Sequence, residues 1–291
     1  MNENACQDNY EFLDCGHLKR LERVSGCTFL RQAPQADFPP SLKELWSSPD
    51  YEYRIESKGF SWNMTPREDE ALPDFCSGSL VMEIRLSENG QIGVYPEQQN
   101  NWDWLGAFIS ETENPLRILN GFAYTGASTI VCAQALKGRA DSEICHLDSS
   151  KSAVNWARTN RGKSGLPEDS IRFIVDDISR FLDREIRRGN RYDGLILDPP
   201  AFGRAKGGVT WILKRDLPSL MDRCRQVLVP EPSFFLLSCH DPEISKADLA
   251  SALAGTIGRN RSEIETVDLI LSSKNGNSLP NGIAARWSRK Y

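Results

Sequence analysis

The chain changes its hydrophobic pattern near residue 116. From there onward, short apolar runs rich in β-branched and aromatic residues alternate with stretches of helical periodicity. Such alternation is typical of a parallel sheet with crossover helices. The apolar runs predict seven strands, at residues 116–122, 142–148, 170–175, 192–198, 233–239, 266–271 and 282–288. The stretches between them predict helices near residues 125–137, 149–160, 178–188, 211–228 and 245–258.

The last two strands are connected by SSKNGNSLPN, which leaves no room for a helix. We therefore expect them to form an antiparallel hairpin at the end of the sheet. The earlier part of the chain holds much of the tryptophan and proline, short strands at 51–56 and 79–86, and a polar turn at 87–90. We predict a small β-rich N-terminal domain at residues 1–110, followed by an α/β, Rossmann-like domain at residues 111–291.

Composition limits the classes of function. The 291 residues have 40% hydrophobic content and a formal net charge of −5, so the chain can form a sizeable core but does not attract nucleic acid by overall charge. No apolar run approaches the roughly 18 residues that a bilayer crossing needs, and the start of the chain has no basic segment followed by an apolar one. We expect a cytoplasmic protein with no membrane partner.

The cysteines also limit the classes of site. None of the eight forms a CxxC pair, and their spacing is irregular. This pattern argues against a zinc site and a disulfide framework, and for a reducing compartment. The eight are Cys6, Cys15, Cys27, Cys76, Cys132, Cys145, Cys224 and Cys239.

The first strand of the predicted sheet ends in NGFAYTG, residues 120–126, where Gly121 and Gly126 bracket a turn into a helix. A ligand can approach the bare backbone there and meet the first amides of the helix. The glycine spacing matches neither the P-loop nor the dinucleotide fingerprint. By itself, the segment is equally consistent with a plain tight turn.

Acidic residues follow the next two strands. Asp148 ends the second strand, 22 residues after Gly126, close to the spacing at which an acid meets ribose hydroxyls in nucleotide sites. Asp177, preceded by Asp176, follows the third strand, where an acid commonly accepts the amine of adenine. The alternative for each aspartate is a helix cap, including a cap by Asp148 on a helix that starts at Ser149. Because the carboxyl ends of parallel strands share one edge, the glycine loop and these acids together predict a cofactor site.

The fourth strand ends in Asp198-Pro199-Pro200, within YDGLILDPPAFGR. The two prolines fix the backbone and remove two amide donors. We interpret the segment as a rigid platform beside the reactive end of the cofactor, on which Phe202 could stack a planar base. A simple strand-ending turn is the alternative.

These segments resemble the class I S-adenosylmethionine-dependent methyltransferases, and most closely the ribosomal large-subunit RNA methyltransferases that modify cytosine-5 or guanine. The resemblance runs from about residue 93 to the C-terminus and is carried by GVYPEQQNNWDW, LNGFAYTG, LDSSKSAVNWARTN, VDDISRFL, YDGLILDPPAFGR and LLSC. It implies S-adenosyl-L-methionine as the cofactor, bound at its methionine end by Asn120, Gly121, Thr125 and Gly126. It also implies Asp148 at the ribose, Asp177 at the adenine, Gln98 at the closure of the pocket, and Asp198, Pro199 and Pro200 at the sulfonium and target base.

The resemblance leaves the product open between two chemistries. A base nitrogen is already nucleophilic, whereas carbon 5 of cytosine must be activated by a thiolate that adds to carbon 6. Cys239, in LLSCHDP, has the matching position of the cytosine-5 subgroup and is the candidate nucleophile. His240 beside it could lower the thiol pKa or move a proton. A buried core cysteine is the alternative.

The resemblance implies RNA, and ribosomal RNA in particular, as the partner, with a local basic rim for its phosphates. The rim is predicted from Arg184, Arg187, Arg188, Arg191, Arg204 and Lys206, although a solvated helix end explains most of these charges equally well. Two features depart from the subgroup: residues 1–92 do not resemble its RNA-binding domain, and AFGRAKGG follows the prolines in place of a lysine-phenylalanine pairing. A methyltransferase for protein or small molecules is therefore the alternative. A non-catalytic cofactor-binding scaffold and a nicotinamide dehydrogenase come after it.

Overall fold

The structure, a computed structural model, describes residues 7–57, 59–65, 71–204, 210–274 and 276–289. The predicted Cys6 and Lys206 lie outside these residues. Spatial clustering divides the chain into two compact units, of which unit 1 comprises Met1–Gln98 and Ile270–Asn281, and unit 2 comprises Gln99–Leu269 and Gly282–Tyr291. The predicted domain limits, 1–110 and 111–291, stay a prediction.

Unit 1 contains the predicted β-rich N-terminal part. Its five-stranded sheet has the order β1-β2-β3-β4-β5, and all neighbours are antiparallel except β3 and β4. The strands are β1 Tyr10–Gly16, β2 Lys19–Val24, β3 Cys27–Gln32, β4 Tyr51–Glu56 and β5 Gly59–Met64. A separate hairpin is formed by β6 Asp74–Ser77 and β7 Leu80–Glu83, and short 3-10 helices lie at Lys43–Trp46 and Pro96–Gln98.

The tip of the C-terminal hairpin completes a core cluster of unit 1. Leu271 and Leu279 from that tip pack with Phe12, Cys15, Ala33 and Ala36, and all six are buried. Asn277 donates a hydrogen bond to Asp14 Oδ1 at 2.6 Å. The tip therefore adds both apolar and polar contacts to unit 1.

Unit 2 is built on the predicted seven-stranded sheet. Its strands are β8 Arg117–Gly121, β9 Glu143–Asp148, β10 Arg172–Val175, β11 Gly194–Leu197, β14 Phe234–Cys239, β15 Glu265–Ser272 and β16 Ser278–Ser288, in the order β10-β9-β8-β11-β14-β16-β15. The first five are parallel, and β16 lies between β14 and β15 and runs antiparallel to β14. The predicted α/β fold with a terminal antiparallel hairpin is confirmed. A small hairpin of β12 Phe202–Arg204 and β13 Thr210–Ile212 is separate from this sheet.

Five of the helices in the described residues occupy the predicted crossover positions, and one further helix precedes β8. They are α1 Gln99–Glu111, α2 Ala127–Ala135, α3 Lys151–Lys163, α4 Ile178–Arg188, α5 Leu213–Val227 and α6 Lys246–Ile257, with a 3-10 turn at Arg261–Glu263. Their ends follow local chemistry: Ser245 and Asp248 form a reciprocal capping box at α6, and a left-handed Gly258 ends it. Strands β11 and β14 are buried along their whole lengths, as expected for central strands with helices on both faces.

The strand order reverses direction between β8 and β11. From β8 the chain first builds outward through β9 and β10, and then returns to place β11 on the other side of β8. The carboxyl ends of these parallel strands lie at one edge of the sheet, and the reversal opens a crevice there. The glycine loop and Asp148, Asp177 and Asp198 all follow strands at this edge.

The cysteines are mostly core residues. Six of them are buried free thiols: Cys15, Cys27, Cys132, Cys145, Cys224 and Cys239. Cys76, in β6, is disulfide-bonded. The cysteine spacing did not predict this disulfide bond. Within the described residues, no helix has both the length and the apolarity to cross a membrane, and no cluster of histidine, cysteine or acidic side chains is suited to a metal ion.

Candidate functional site

The loop after β8, residues 122–126, is tightly folded at the crevice. Phe122 and Tyr124 have φ angles of +56° and +47°, and Gly126 has +94°. Left-handed backbone at two non-glycine residues is uncommon and costs energy, and such strain clusters at ligand sites. Gly126 begins α2 without a side-chain cap, so the first amides of α2 are available to a ligand.

Two glycines of this loop stand where a side chain would not fit. A Cβ on Gly121 would lie 2.7 Å from Ile178 Cδ1 and 2.9 Å from Leu197 Cδ2. A Cβ on Gly126 would lie 3.1 Å from the Cβ of Ala157, at a φ that favours glycine. Both glycines therefore allow close packing, of Gly121 against α4 and β11 and of Gly126 against α3.

Asp148, at the end of β9, forms hydrogen bonds with both the loop that follows β8 and the loop that follows β9. Its Oδ2 accepts from the Tyr124 amide at 2.9 Å and its Oδ1 from the Ser150 amide at 2.8 Å. Burial raises the pKa of this carboxyl, and the backbone amides, Ser150 first, oppose that rise. The helix-cap alternative is wrong for Asp148, because α3 begins at Lys151 and its cap is Ser150, whose hydroxyl accepts from the Ala153 amide.

The acids after β10 have separate structural partners. Asp177 caps α4, because its Oδ1 accepts from the Arg180 amide at 3.1 Å. Asp176 forms ion pairs with Arg180 and Arg184. Partial burial opposes ionisation of Asp176, but the hydrogen bonds from Arg184 and the Asp177 amide, together with the charges of Arg184 and Arg180, outweigh it and hold the pKa of this carboxyl below its usual value. The cap leaves the second carboxylate oxygen of Asp177 for a ligand amine.

Two further residues predicted for the loop region are buried. Asn120 is 2% exposed, and its amide nitrogen donates to Thr129 Oγ1 at 2.9 Å. Thr125 is also buried, and its carbonyl accepts from Asn160 Nδ2 at 2.9 Å. Asn120 therefore supports the loop from below with its side chain. Sequence reasoning missed Asn160 and Thr129, which lie on helices and stand out only once the helices are placed.

The Asp198-Pro199-Pro200 segment follows β11 at the edge of the sheet where the carboxyl ends of the parallel strands lie, and it leads into the β12–β13 hairpin. Trp211 of that hairpin donates its indole N–H to the Pro200 carbonyl at 2.7 Å, and its ring lies 5.5 Å from the ring of Phe122. Phe202 on the same hairpin is 58% exposed. The platform is therefore fixed to its hairpin and presents an open aromatic ring beside it.

His240, after β14, faces Asp198. Its Nε2 lies 3.3 Å from Asp198 Oδ1, and both side chains are about 30% exposed. Cys239 next to it is 1% exposed, and its Sγ donates to the Asp241 carbonyl at 3.8 Å. Burial raises the pKa of the Cys239 thiol to about 11. In this conformation Cys239 is a protonated thiol, and the imidazole contacts the carboxylate of the platform.

The arginines predicted to form a basic rim lie at different places. Arg184 forms an ion pair with Asp176 near the edge of the sheet where the carboxyl ends of the parallel strands lie. Arg187 and Arg188 end α4, which runs back from that edge, and Arg191 lies just before β11 begins. These three residues lie at the opposite edge of the sheet, because a helix of eleven residues spans about 16 Å.

Known proteins share sequence and fold with this chain. The profile of a family described as S-adenosylmethionine-dependent methyltransferases matches residues 51–265. Ribosomal RNA large subunit methyltransferase I of Aeromonas hydrophila subsp. hydrophila is 32% identical over 152 residues, which cover 52% of this chain. The match spans only 36% of that relative's own length.

Two solved structures share the fold. The SAM-dependent methyltransferase from Agrobacterium tumefaciens matches with a TM-score of 0.86 and 27% identity, over 99% of this chain and 92% of that one. A SAM-dependent methyltransferase from Streptococcus mutans matches with a TM-score of 0.71 and 12% identity, over 97% of this chain and 76% of that one. The first match extends over both units.

Proposed function

The chain belongs to the S-adenosylmethionine-dependent methyltransferase family, and from this membership we propose that it transfers the methyl group to a base of ribosomal RNA. The enzyme class and the cofactor follow from the family. The RNA substrate is supported by the curated relative, a ribosomal RNA large subunit methyltransferase. The cytoplasmic location expected from the sequence belongs to the same proposal.

The observation that carries the proposal is the exposed ring of Phe202 beside Asp198-Pro199-Pro200. An unpaired base has two flat faces, and aromatic side chains in RNA-binding sites stack on them. The bond from Trp211 to the Pro200 carbonyl holds this hairpin against the platform. A base stacked on Phe202 would place its polar edge near the Asp198 carboxylate.

We assign the cofactor to the crevice between β8, β9 and β10. S-adenosylmethionine supplies an electrophilic methyl group, so the protein mainly has to position it beside the acceptor. In this assignment the backbone at Gly121, Thr125 and Gly126 holds the methionine end, with Asn120 beneath it. Asp148 accepts from the ribose hydroxyls, and Asp177 accepts from the adenine amine.

The acceptor atom depends on Asp198 and Cys239. A base nitrogen needs a group that takes the proton displaced by the methyl group, and the partly exposed Asp198 is placed to do so. Cytosine-5 methylation requires the Cys239 thiolate to add to carbon 6, so that carbon 5 can take the methyl group; a base then removes the carbon-5 proton, and the C6–S bond breaks to release the thiolate. Cys239 is well placed for this, because β14 pairs directly with β11. Its burial and high pKa mean that substrate binding would have to expose and ionise it.

The test is incubation with tritiated S-adenosylmethionine and total RNA, with and without ribosomal fractions, followed by nucleoside analysis. We expect labelled RNA, and we expect Phe202→Ala to lower the label strongly while cofactor affinity stays unchanged. Label in 5-methylcytidine that Cys239→Ser abolishes would identify cytosine-5 chemistry. Label in a methylguanosine that Cys239→Ser preserves would assign the cysteine to the core. Unlabelled RNA, with cofactor binding demonstrated, would contradict the RNA proposal and favour a protein or small-molecule substrate.

A further inference from the structure

A buried hydrogen-bond chain lies beneath the cofactor loop. It joins Asn120 in β8, Thr129 in α2 and His146 in β9, and all three side chains are at most 2% exposed. Asn120 Nδ2 donates to Thr129 Oγ1 at 2.9 Å, and Thr129 Oγ1 lies 3.0 Å from His146 Nδ1. The chain therefore links the three elements that meet under residues 122–126.

The proton positions in this chain are determined by the donor at its start. The Thr129 hydroxyl accepts from Asn120, so its single proton is available for His146 Nδ1. Burial, with a smaller effect from Arg158, lowers the pKa of His146 to about 3. The ring is therefore neutral, and from the Thr129 donor we infer a bare Nδ1 with the proton on Nε2.

The imidazole lies directly under the loop. A Cβ on Gly126 would lie 3.5 Å from His146 Cε1 and 3.6 Å from His146 Nδ1, so the ring edge is in contact range of the Gly126 backbone. His146 Nε2 is buried, and the Tyr124 backbone, in the loop itself, forms a hydrogen bond with the imidazole that partly opposes the fall in its pKa. The ring is held in place by its Thr129 contact, this backbone interaction and its packing.

We propose that His146 is a positioning residue for the cofactor: oriented by Thr129 and Asn120, its ring supports residues 122–126 in the conformation that binds the methionine end of S-adenosylmethionine. Asp148, two residues further along β9, holds the same loop through the Tyr124 amide. One strand thus supports the loop at two points. The inference concerns cofactor affinity and holds whichever substrate receives the methyl group.

The test removes the central hydroxyl while keeping the shape of the side chain. Thr129→Val breaks both hydrogen bonds of the chain, so we expect calorimetry to show an S-adenosylmethionine Kd about tenfold higher. Thr129→Ser keeps the hydroxyl and should restore the Kd to within about twofold of the unchanged protein. Thr256→Val is the matched control, because Thr256 is also buried in unit 2 and its hydroxyl donates only within its own helix, to the Ala252 carbonyl at 2.9 Å. It should leave the Kd unchanged.

A second measurement uses the unchanged protein, so it does not depend on whether a variant folds. The chain has three histidines, which makes assignment of ¹⁵N-labelled imidazole signals tractable. We expect His146 to show a protonated Nε2 and a bare Nδ1 from about pH 5 to pH 8, and to shift when S-adenosylmethionine is added. The proposal would be overturned if His146 were an imidazolium at pH 6, or if its ¹⁵N chemical shifts did not change when S-adenosylmethionine is added. A Thr129→Val Kd within threefold of the unchanged value, or an equal loss in Thr129→Ser, would also overturn it.

Discussion

Asp148→Asn separates the binding role of this carboxylate from its structural role. Asp148 accepts two backbone amides, from Tyr124 and Ser150, and burial raises its pKa. Because the folded-state pKa lies above the ordinary value of 3.8, the folded protein binds more protons than the unfolded one between these two pH values. Stability therefore falls as the pH rises through that window, and at neutral pH the charge destabilises the fold. Asparagine removes this cost but has one acceptor oxygen in place of two.

The two structural effects of Asp148→Asn oppose each other. Losing one acceptor leaves an amide unsatisfied, at a cost of about 1–3 kcal/mol, while removing the buried charge offsets part of this cost. We expect the free energy of unfolding to fall by no more than about 2 kcal/mol. Cofactor binding has no such compensation. Losing charge-assisted hydrogen bonds to the ribose hydroxyls, worth about 3 kcal/mol together, should raise the Kd about 150-fold.

Isothermal calorimetry with S-adenosylmethionine and urea unfolding measure these two quantities. Asp193→Asn is the matched control, because Asp193 Oδ2 accepts the Arg117 amide at 2.8 Å at the opposite edge of the same sheet. It should alter stability and leave the Kd unchanged. For the unchanged protein, affinity should also weaken as the pH falls through the raised Asp148 pKa. A Kd for Asp148→Asn within threefold of the unchanged value would refute the assignment of this residue to the ribose.

Three further outcomes follow from the structure. Gly126→Ala places a Cβ beside Ala157 on a residue whose φ is +94°, which strains the backbone. Urea titration should show a free energy of unfolding that is lower by about 1–2 kcal/mol. An unchanged urea midpoint would contradict the strain argument. Tyr192→Phe removes the 2.8 Å hydrogen bond to the buried Glu185 and should cost about 2 kcal/mol of stability without affecting methyl transfer. Cys239 has a thiol pKa of about 11 against an ordinary 9.0, so at pH 7.5 it should react with iodoacetamide at least about a hundredfold more slowly than an ordinary thiol. The reaction, followed by mass spectrometry, should become faster as the pH rises. Rapid labelling at pH 7.5 would show that the thiol is ionised.

The sequence predicted most of unit 2 because its strands are short apolar runs separated by helical periodicity. The helix at 178–188 was predicted at its observed limits, since Asp177 and Gly189 mark its two ends. The last strand begins earlier than predicted, at Ser278, because its first residues pass through the polar hairpin tip and lack an apolar pattern. The β12–β13 hairpin was missed, because three-residue strands carry no periodicity.

The candidate site was predictable where it depends on strand ends. Asp148, Asp177 and Asp198 follow strands in the chain, so their common edge follows from the fold class. The sequence did not predict the residue that caps α3. Asp148 and Ser150 are both favourable capping residues, and only the backbone geometry distinguishes them. The positions of Arg187 and Arg188 did not follow from the sequence either, because charge along a helix does not reveal which end faces the crevice. His146 gave one signal, a polar residue inside the apolar run of β9.

The hairpin tip at residues 270–281 affects the order of events during synthesis. All four of its buried neighbours in the cluster around Leu271 and Leu279 lie within the first 36 residues of the chain. A ribosome that makes residues in order must therefore release nearly the whole chain before the first unit can complete that cluster. We expect nascent chains that stop before residue 270 to expose Phe12 and Cys15 to solvent and to chaperones. A protease applied to stalled chains would detect this late closure as cleavage in β1 that disappears once the tip has emerged.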